Sequence, residues 1–265
     1  MKPLPTWLDG RLLFAGVSTP DAPGVAPPAG PACYTSALVQ GGRARYAQRH
    51  VERLVRDAQA LGLGVPNTQR ILHAFTELGR EAFGDGPGIV RVQANAGEDG
   101  RCRLFATARE LGRDPDHWRV FCYADPHPGA GPHPGVKRCG EPHLDAARAA
   151  LATRHLDEVL LVDREGYVVE GARSSFVLID ARGQRITPAL ERGGVRSIAR
   201  DILLEADPSL RRRHVSAASL KSARALLAIN AVRGARPVAA LDERPFERDA
   251  GEELASWATR ILDAA

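Results

Sequence analysis

Apolar residues recur along the chain with two periods, one typical of helices and the other of strands. Spacings of three and four predict helices over residues 45 to 61, after Asn67-Thr68, over 142 to 155, over 197 to 206 and at the C-terminus. Short runs rich in Val, Ile and Leu predict strands. They lie near Leu12, at 34 to 39, 89 to 95, 103 to 108, 119 to 124, 214 to 216 and 225 to 229, and one ends at Lys137. The mixture predicts an α/β (α+β) fold.

The clearest strand pattern runs from residue 159 to residue 188. Turns at Arg164-Glu165-Gly166 and Ala181-Arg182-Gly183 separate three short apolar strands, since each gap contains a glycine. Glu170 ends the middle strand, where the chain enters a loop over residues 171 to 175. A carboxylate in this position is either an ordinary residue facing water or a functional group.

Two segments rich in Pro and Gly interrupt these patterns, at residues 19 to 31 and 125 to 135. Proline removes a backbone donor and glycine costs entropy in regular structure, so both segments are predicted to be loops or linkers. The predicted organisation is an N-terminal α+β domain over residues 1 to 124, a linker over 125 to 135 and a C-terminal α/β domain over 136 to 265. Within the linker, His127 and His133 are expected to be solvated rather than metal ligands, because no carboxylate or thiolate cluster accompanies them.

Composition excludes several function classes. The 265 residues are 44% apolar, which is enough for a large core, and the net charge is only +4. The densest basic run, Arg211-Arg212-Arg213-His214, has no interleaved aromatic residues, so a nucleic-acid partner is not expected. Four scattered cysteines suggest neither a zinc site nor disulfides. Without a leader pattern or a long apolar run, the chain is expected to be cytoplasmic and not associated with membranes.

A series of landmarks follows the linker in a fixed order. They are Lys137, Asp157-Glu158, Glu170-Gly171, Phe176, Thr187-Pro188 and Ser197-Ile198-Ala199-Arg200. Their order and spacing resemble those of the fold-type IV pyridoxal-phosphate enzymes, a family that includes branched-chain and D-amino acid aminotransferases and aminodeoxychorismate lyase. The resemblance covers nearly the whole chain. It implies a two-domain fold, pyridoxal 5'-phosphate as the cofactor and a homodimer.

The resemblance also implies roles for individual residues. Lys137 would bind the cofactor covalently and then move the proton at the substrate carbon. Glu170 would face the ring nitrogen and keep it protonated. The backbone of Ile198 and Ala199, at the start of a helix, would bind the phosphate. Arg53, which matches the family pattern H-x-x-R-L, would reach the same phosphate.

The remaining cofactor positions depart from the family pattern. Ser175 stands where an Asn is usual, and Ser197 replaces the usual Gly before Ile198. Asn230 and Ala231 occupy the last turn on the phosphate side. Because Ala231 lacks the hydroxyl found in many relatives, only its backbone could serve there.

Two segments are similar to aminodeoxychorismate lyases in particular: CYTSALVQGGR at residues 33 to 43, and NAVRG followed by PV from residue 230. In this interpretation Tyr34 lies beside the covalent bond to the cofactor, and Thr35 contacts substrate. The implied reaction is elimination of pyruvate from 4-amino-4-deoxychorismate to give 4-aminobenzoate. One alternative is a class IV aminotransferase acting on a small amino acid. The other is a catalytically idle homologue, because the proline-rich residues 19 to 31 stand where the family has an Asp-Arg and Tyr-Gly-Asp-Gly segment.

An amino-acid-like substrate carries carboxylates, which need cationic partners. Arg91, Arg173 and Arg233 are the candidates, although each could equally be an ordinary surface residue.

Overall fold

The computed structural model describes residues 4 to 14 and 29 to 265. It divides into two compact units: Met1–Arg113 with Val136–Cys139, and Asp114–Gly135 with Gly140–Ala265. Residues 19 to 28, most of the first predicted loop, lie outside the described residues. No helix among the described residues is both long and apolar enough to cross a membrane.

The described residues of the first unit form a six-stranded sheet with two helices. Its strands are β1 (Thr6–Leu8), β2 (Arg11–Leu13), β3 (Ala32–Gln40), β4 (Arg43–Ala44), β5 (Pro87–Ala96) and β6 (Cys102–Glu110). They are arranged in the order β2-β1-β6-β5-β3-β4, and every pairing is antiparallel. The helices are α1 (Ala47–Ala60) and α2 (Thr68–Phe83), whose apolar sides form one core with the sheet.

Both helices of this unit follow from their sequences. Asn67 caps α2 by accepting the backbone N–H of Arg70 at 3.0 Å, and the predicted Ile71, Phe75 and Leu78 are buried. Helix α1 buries Val51, Leu54 and Ala58 as predicted, with Val55 partly buried. Three polar side chains of α1 are also buried, which the apolar period did not indicate: His50, Arg53 and Asp57.

The second unit is a nine-stranded mixed sheet with three helices. Its elements are β7 (Trp118–Cys122), α3 (Pro142–Arg154), β8 (Glu158–Val162), β9 (Val168–Glu170), β10 (Ser175–Ile179), β11 (Arg185–Pro188), α4 (Ile198–Ala206), β12 (Arg211–Arg213), β13 (Ala225–Asn230), β14 (Gly234–Leu241), β15 (Arg244–Pro245) and α5 (Arg248–Ala264). The sheet order is β12-β11-β10-β13-β14-β7-β8-β9, and β15 pairs with β14. Short 3-10 helices cover Leu190–Arg192 and Ala217–Ser222.

The observed boundary between the units differs from the predicted one in two ways. Strand β7 belongs to the second unit, because it pairs in parallel with β14 and β8. Val136–Cys139 belongs to the first unit, because Tyr34 N–H donates to the Lys137 carbonyl at 3.0 Å and Cys139 N–H donates to the Ala32 carbonyl at 2.8 Å. The segment around Lys137 therefore forms an isolated antiparallel β-bridge to β3, between Arg138 and Cys33, and not the predicted strand ending at Lys137.

Smaller differences concern element limits. The stretch from 159 to 188 contains four strands, β8 to β11, because the loop after Glu170 separates β9 from β10. The strand predicted at 214 to 216 lies instead at Arg211–Arg213, where it pairs in parallel with β11. In α5 the buried positions include Leu254, Trp257 and Leu262.

Candidate active site

Lys137 is fixed through its backbone. Its N–H donates to Asp57 Oδ2 of α1 at 3.0 Å, and its carbonyl accepts the Tyr34 N–H of β3. Asp57 is fully buried, and its other oxygen accepts hydrogen bonds from Arg56 at 2.7 and 3.0 Å. A helix and a strand of the first unit therefore position the peptide of Lys137, while the side chain itself is half-exposed.

Tyr34 and Arg91 lie beside Lys137, as the sequence suggested for Tyr34. The centroid of the Tyr34 ring is 4.9 Å from Lys137 Nζ and 3.7 Å from Arg91 Cζ, so two cations share one aromatic ring. Arg91 Nη2 also donates to Gln93 Oε1 at 3.2 Å and to Cys139 Sγ at 3.1 Å. This arrangement holds the guanidinium in place next to the lysine and makes the region suited to an anionic group.

Thr35, the next residue of β3, points to the opposite face of the strand and meets α1. Its Oγ1 accepts hydrogen bonds from Arg53 Nη2 at 2.6 Å and Nε at 3.2 Å, and lies 2.6 Å from His50 Nδ1. Burial and the charges of Arg53 and Lys137 lower the pKa of His50, so its imidazole is neutral. The Thr35 hydroxyl therefore links the neutral His50 to Arg53 and positions the Arg53 guanidinium, and Arg53 is 6% exposed. The substrate contact predicted for Thr35 stays a prediction.

In the second unit, Glu170 lies at the end of β9 and is 5% exposed. Its Oε2 accepts the Val195 N–H at 2.9 Å, and its Oε1 lies 3.7 Å from His127 Nε2. Arg200 of α4, itself buried, donates to the Val195 carbonyl at 3.0 Å, so it holds the residue whose N–H contacts Glu170, and its charge also interacts with the carboxylate. The prediction that Glu170 ends a strand is confirmed, and the carboxylate faces the protein interior rather than water.

His127 corrects the expectation of a solvated linker residue, because it is 2% exposed. Its backbone N–H donates to the Val162 carbonyl of β8 at 2.8 Å, which draws the loop onto the sheet. The ring stands edge-on to His143, with centroids 4.6 Å apart. No sequence pattern indicated this burial, since the contacts come from residues far along the chain.

Glu158 organises the loop that follows Glu170. The carboxylate is fully buried and accepts the backbone N–H groups of Val159 at 3.0 Å, Ala172 at 3.0 Å and Arg173 at 3.2 Å. Burial raises the pKa of Glu158, and these donors together with the charge of Arg173 oppose that rise. A Cβ on Gly171 would lie 2.9 Å from Glu158 Cδ, so only glycine fits there. Glu158 and Gly171, which belong to two different sequence landmarks, therefore pack against each other.

The N-terminus of α4 carries the predicted phosphate-binding residues. Ser197 caps the helix by accepting the Arg200 N–H at 3.4 Å, and Ile198 and Ala199 form its buried first turn. The backbone N–H groups of a first turn lack partners within the helix and point along its axis, which suits an anion. Ser197 therefore preserves the helix start where the family usually has Gly.

The other predicted cofactor residues lie in neighbouring strands. Ser175 is buried in β10, opposite Ile229 of β13. Asn230, at the end of β13, donates to Ser174 Oγ at 3.0 Å and accepts the N–H groups of Val232 and Arg233 at 3.0 and 2.7 Å. These bonds shape the turn that carries the buried Ala231.

The three candidate carboxylate partners differ in their surroundings. Arg91 is held beside Lys137 as described. Arg173 is exposed and donates to the Asp157 carbonyl. Arg233 is half-buried, with Nη1 3.8 Å from Asp114 Oδ2, and burial lowers its pKa. Their contact with a substrate stays a prediction, and no cluster of potential metal ligands occurs among residues 4 to 14 and 29 to 265.

The antiparallel sheet unit and the mixed sheet unit match the fold-type IV aminotransferase fold. The sequence model of the family described as amino-transferase class IV matches residues 32–241. The chain belongs to this family, whose members are pyridoxal-phosphate-dependent aminotransferases or lyases. The predicted fold class and family are confirmed.

Solved structures agree with this fold. A branched-chain aminotransferase from Thermoproteus uzoniensis, with norvaline, is 21% identical over 98% of this chain and 95% of that chain, with a TM-score of 0.80. A 4-amino-4-deoxychorismate lyase from Pseudomonas aeruginosa is 24% identical over 95% and 98%, with a TM-score of 0.76. A fold IV transaminase from Curtobacterium pusillum is 24% identical over 88% and 86%, with a TM-score of 0.73. A search of the curated proteins gives no significant match.

Proposed function

We propose that the chain binds pyridoxal 5'-phosphate covalently through Lys137, with Glu170 as the partner of the ring nitrogen. The observation that carries this proposal is the buried carboxylate of Glu170. Its Oε2 accepts one hydrogen bond of 2.9 Å, and its Oε1 has no hydrogen-bonding partner among the described residues nearer than His127 Nε2 at 3.7 Å, although the charge of the buried Arg200 also acts on the carboxylate. A protonated ring nitrogen is the cation that would complete the pairing, so the residues present fit the cofactor.

When bound, pyridoxal phosphate supplies an electron-poor ring that accepts the electron pair left by proton removal at the substrate carbon. Lys137 Nζ would hold the cofactor's aldehyde carbon and, once the substrate's amino group has displaced it, would move the α-proton. Glu170 holds the ring nitrogen in its protonated form. The N–H groups of Ile198 and Ala199 and the guanidinium of Arg53 bind the phosphate.

The proposed reaction is elimination of pyruvate from 4-amino-4-deoxychorismate to give 4-aminobenzoate. The residue patterns at 33 to 43 and from 230 onward support it, because they are similar to those of aminodeoxychorismate lyases. Lys137 removes the α-proton, and Tyr34 orients the side of the substrate that leaves. Arg91, fixed against the Tyr34 ring, is the proposed partner of a substrate carboxylate.

The alternative reaction is transamination of a small amino acid. It is favoured by the likeness in fold to the aminotransferases from Thermoproteus uzoniensis and Curtobacterium pusillum. The two reactions share Lys137 and Glu170, and they differ in whether the amino group stays with the cofactor.

A test of turnover with and without a 2-oxo acid separates the two reactions. The lyase is expected to release pyruvate and 4-aminobenzoate in equal amounts from 4-amino-4-deoxychorismate, at a rate that added 2-oxoglutarate leaves unchanged. Purified holoprotein is assayed by following both products, with the Lys137→Ala variant as the background control. Absence of both products, together with consumption of a small amino acid that stops after one equivalent unless 2-oxoglutarate is present, would show a transaminase instead.

Arg53→Ala is expected to weaken cofactor binding while leaving the rate at saturating cofactor nearly unchanged. A phosphate contact far from the reacting carbon is made equally in the ground and transition states, so its loss affects binding only. One charge-assisted hydrogen bond contributes about 1.5 to 3 kcal/mol, or on the order of tenfold to a hundredfold in Kd. A titration of the cofactor-free protein with pyridoxal phosphate, followed by absorbance, measures this change.

Arg70→Ala is the matched control, since Arg70 is an exposed arginine of the same unit. It should leave the cofactor Kd unchanged. Because Arg53 also donates to Thr35, the melting temperature of Arg53→Ala is measured alongside. A folded Arg53→Ala variant with the parent Kd would mean that Arg53 only supports Thr35 and His50.

A further inference from the structure

The proton on the His127 imidazole can be assigned from its hydrogen bonds. Nδ1 accepts the backbone N–H of Gly129 at 3.0 Å, so this nitrogen carries no proton. In a neutral imidazole the proton then lies on Nε2, because the partner of one ring nitrogen sets the state of the other. Nε2 faces Glu170 Oε1 at 3.7 Å.

Both oxygens of Glu170 therefore face protein N–H groups. Oε2 receives the Val195 N–H at 2.9 Å, and Oε1 faces His127 Nε2 at 3.7 Å, which is longer than a hydrogen bond. Distances of this kind often shorten when a ligand occupies the site. Since His127 and Glu170 are both buried, water does not weaken this interaction.

The segments that carry these groups are packed against each other. The His127 backbone is bound to Val162 of β8, and the ring is supported by His143. Gly193 has φ of 100°, and a Cβ there would clash with the Gly129 backbone. A Cβ on Gly194 would lie 3.7 Å from Glu170 Cβ. The loop before α4 thus packs on the turn from His127 to Gly129 and on Glu170.

We propose that His127 is a positioning residue for Glu170, an inference that rests on the proposed function of Glu170 as partner of the ring nitrogen. Its Nε2–H fixes the carboxylate orientation and stabilises the carboxylate charge. A proton shared by the carboxylate and the ring nitrogen then stays on the nitrogen. Without His127, the carboxylate competes more strongly for this proton and the ring nitrogen loses it in part of the molecules.

Two substitutions of His127 test the roles of its two ring nitrogens separately. The side-chain oxygen of His127→Asn can replace Nδ1 as the acceptor for Gly129, but its amide does not reach Glu170. The side-chain amide of His127→Gln can replace Nε2 as the donor to Glu170. His133→Asn, a change to a half-exposed histidine of the same segment, serves as the control.

The measurement is the ¹⁵N chemical shift of the ring nitrogen in holoprotein reconstituted with ring-labelled pyridoxal phosphate, without substrate. We expect His127→Asn to move this shift toward that of the unprotonated ring, while His127→Gln and His133→Asn keep the parent shift. A purely structural role for His127 would change the melting temperature of His127→Asn without this selective movement. An unchanged shift in His127→Asn, or an equal movement in His127→Gln, overturns the proposal.

A second measurement needs no folded variant. In the unaltered chain labelled with [¹⁵N]histidine, the buried histidine that receives the Gly129 N–H should show a proton on Nε2 and none on Nδ1. Assignment uses the signal that disappears in His127→Gln or, if that variant does not fold, the NOE to the Gly129 amide. A proton on Nδ1 overturns the proposal. This measurement also applies to the cofactor-free protein, so a failure to bind pyridoxal phosphate at Lys137 would refute the proposed function separately.

Discussion

Lys137→Ala is expected to lose activity by about a thousandfold or more, the largest effect of any single substitution in this chain. Under the proposed function, the change removes both the covalent attachment of the cofactor and the group that moves the α-proton, and proton transfer alone contributes on the order of a hundredfold to ten-thousandfold. Fold and stability should change little, because Asp57 and Tyr34 bind the backbone of residue 137 rather than its side chain. Turnover at saturating cofactor and the melting temperature measure the two effects.

The same lysine can be identified chemically. Borohydride reduction of the holoprotein makes the attachment permanent, and the labelled peptide should contain Lys137. The chain has only two other lysines, Lys2 and Lys221. Lys2 lies outside the described residues, and Lys221 is exposed in the 3-10 helix Ala217–Ser222. Lys221→Ala is therefore the matched control, with parent activity expected. Label on Lys221 or Lys2 and none on Lys137 would end the assignment.

Glu170→Gln is expected to reduce the rate by about tenfold to a thousandfold while the cofactor stays bound. The amide nearly preserves shape, but it lacks the negative charge that, in the proposed function, keeps the ring nitrogen protonated. A buried ion pair of this kind shifts a pKa by roughly 1 to 3 units, and each unit corresponds to about 1.4 kcal/mol. The loss should appear for a lyase or a transaminase, because both reactions begin with removal of the α-proton.

The surroundings of Glu170 add a second expected effect. The Val195 N–H lies at one carboxylate oxygen and His127 Nε2 at the other, so the amide group of a glutamine must face one of these donors. Two donors facing each other in a buried position cost on the order of 1 to 3 kcal/mol. Glu170→Gln should therefore also lower the melting temperature.

Glu253→Gln is the control for loss of a carboxylate, since Glu253 is exposed on α5. It should keep the parent rate and melting temperature. The rate is measured at saturating cofactor, with occupancy checked by absorbance. If Glu170→Gln turns over at the parent rate on a substrate that the parent accepts, Glu170 does not face the ring nitrogen.

Local patterns predicted most elements of both units. The periods of apolar residues placed α1, α2 and the strands of the stretch from 159 to 188, because each element buries one side and its sequence repeats accordingly. The patterns missed β14 as a separate strand and misplaced β12, whose three arginines are all exposed. An exposed strand at the edge of a sheet has no buried side, so no apolar alternation identifies it.

Local sequence patterns did not predict the boundary between the two units. Residues 125 to 135 look like a linker in sequence, yet Val136–Cys139 pairs with β3 and β7 pairs with β14 and β8. Strand pairing depends on which edges meet in the folded chain, and composition carries no information about that. Lys137 consequently lies in the first unit, although it follows the linker in sequence.

The sequence by itself determined the family, and it predicted the two residues on which the proposed chemistry rests, Lys137 and Glu170, since their order among the landmarks does not depend on tertiary contacts. Only the tertiary structure decided what supports them. Asp57, 80 positions before Lys137, binds its backbone, and His127, dismissed from the sequence as a solvated residue, lies buried against Glu170. A polar side chain becomes a supporting group through the distant residues that bury it and bond to it, and periodicity reports only neighbours along the chain.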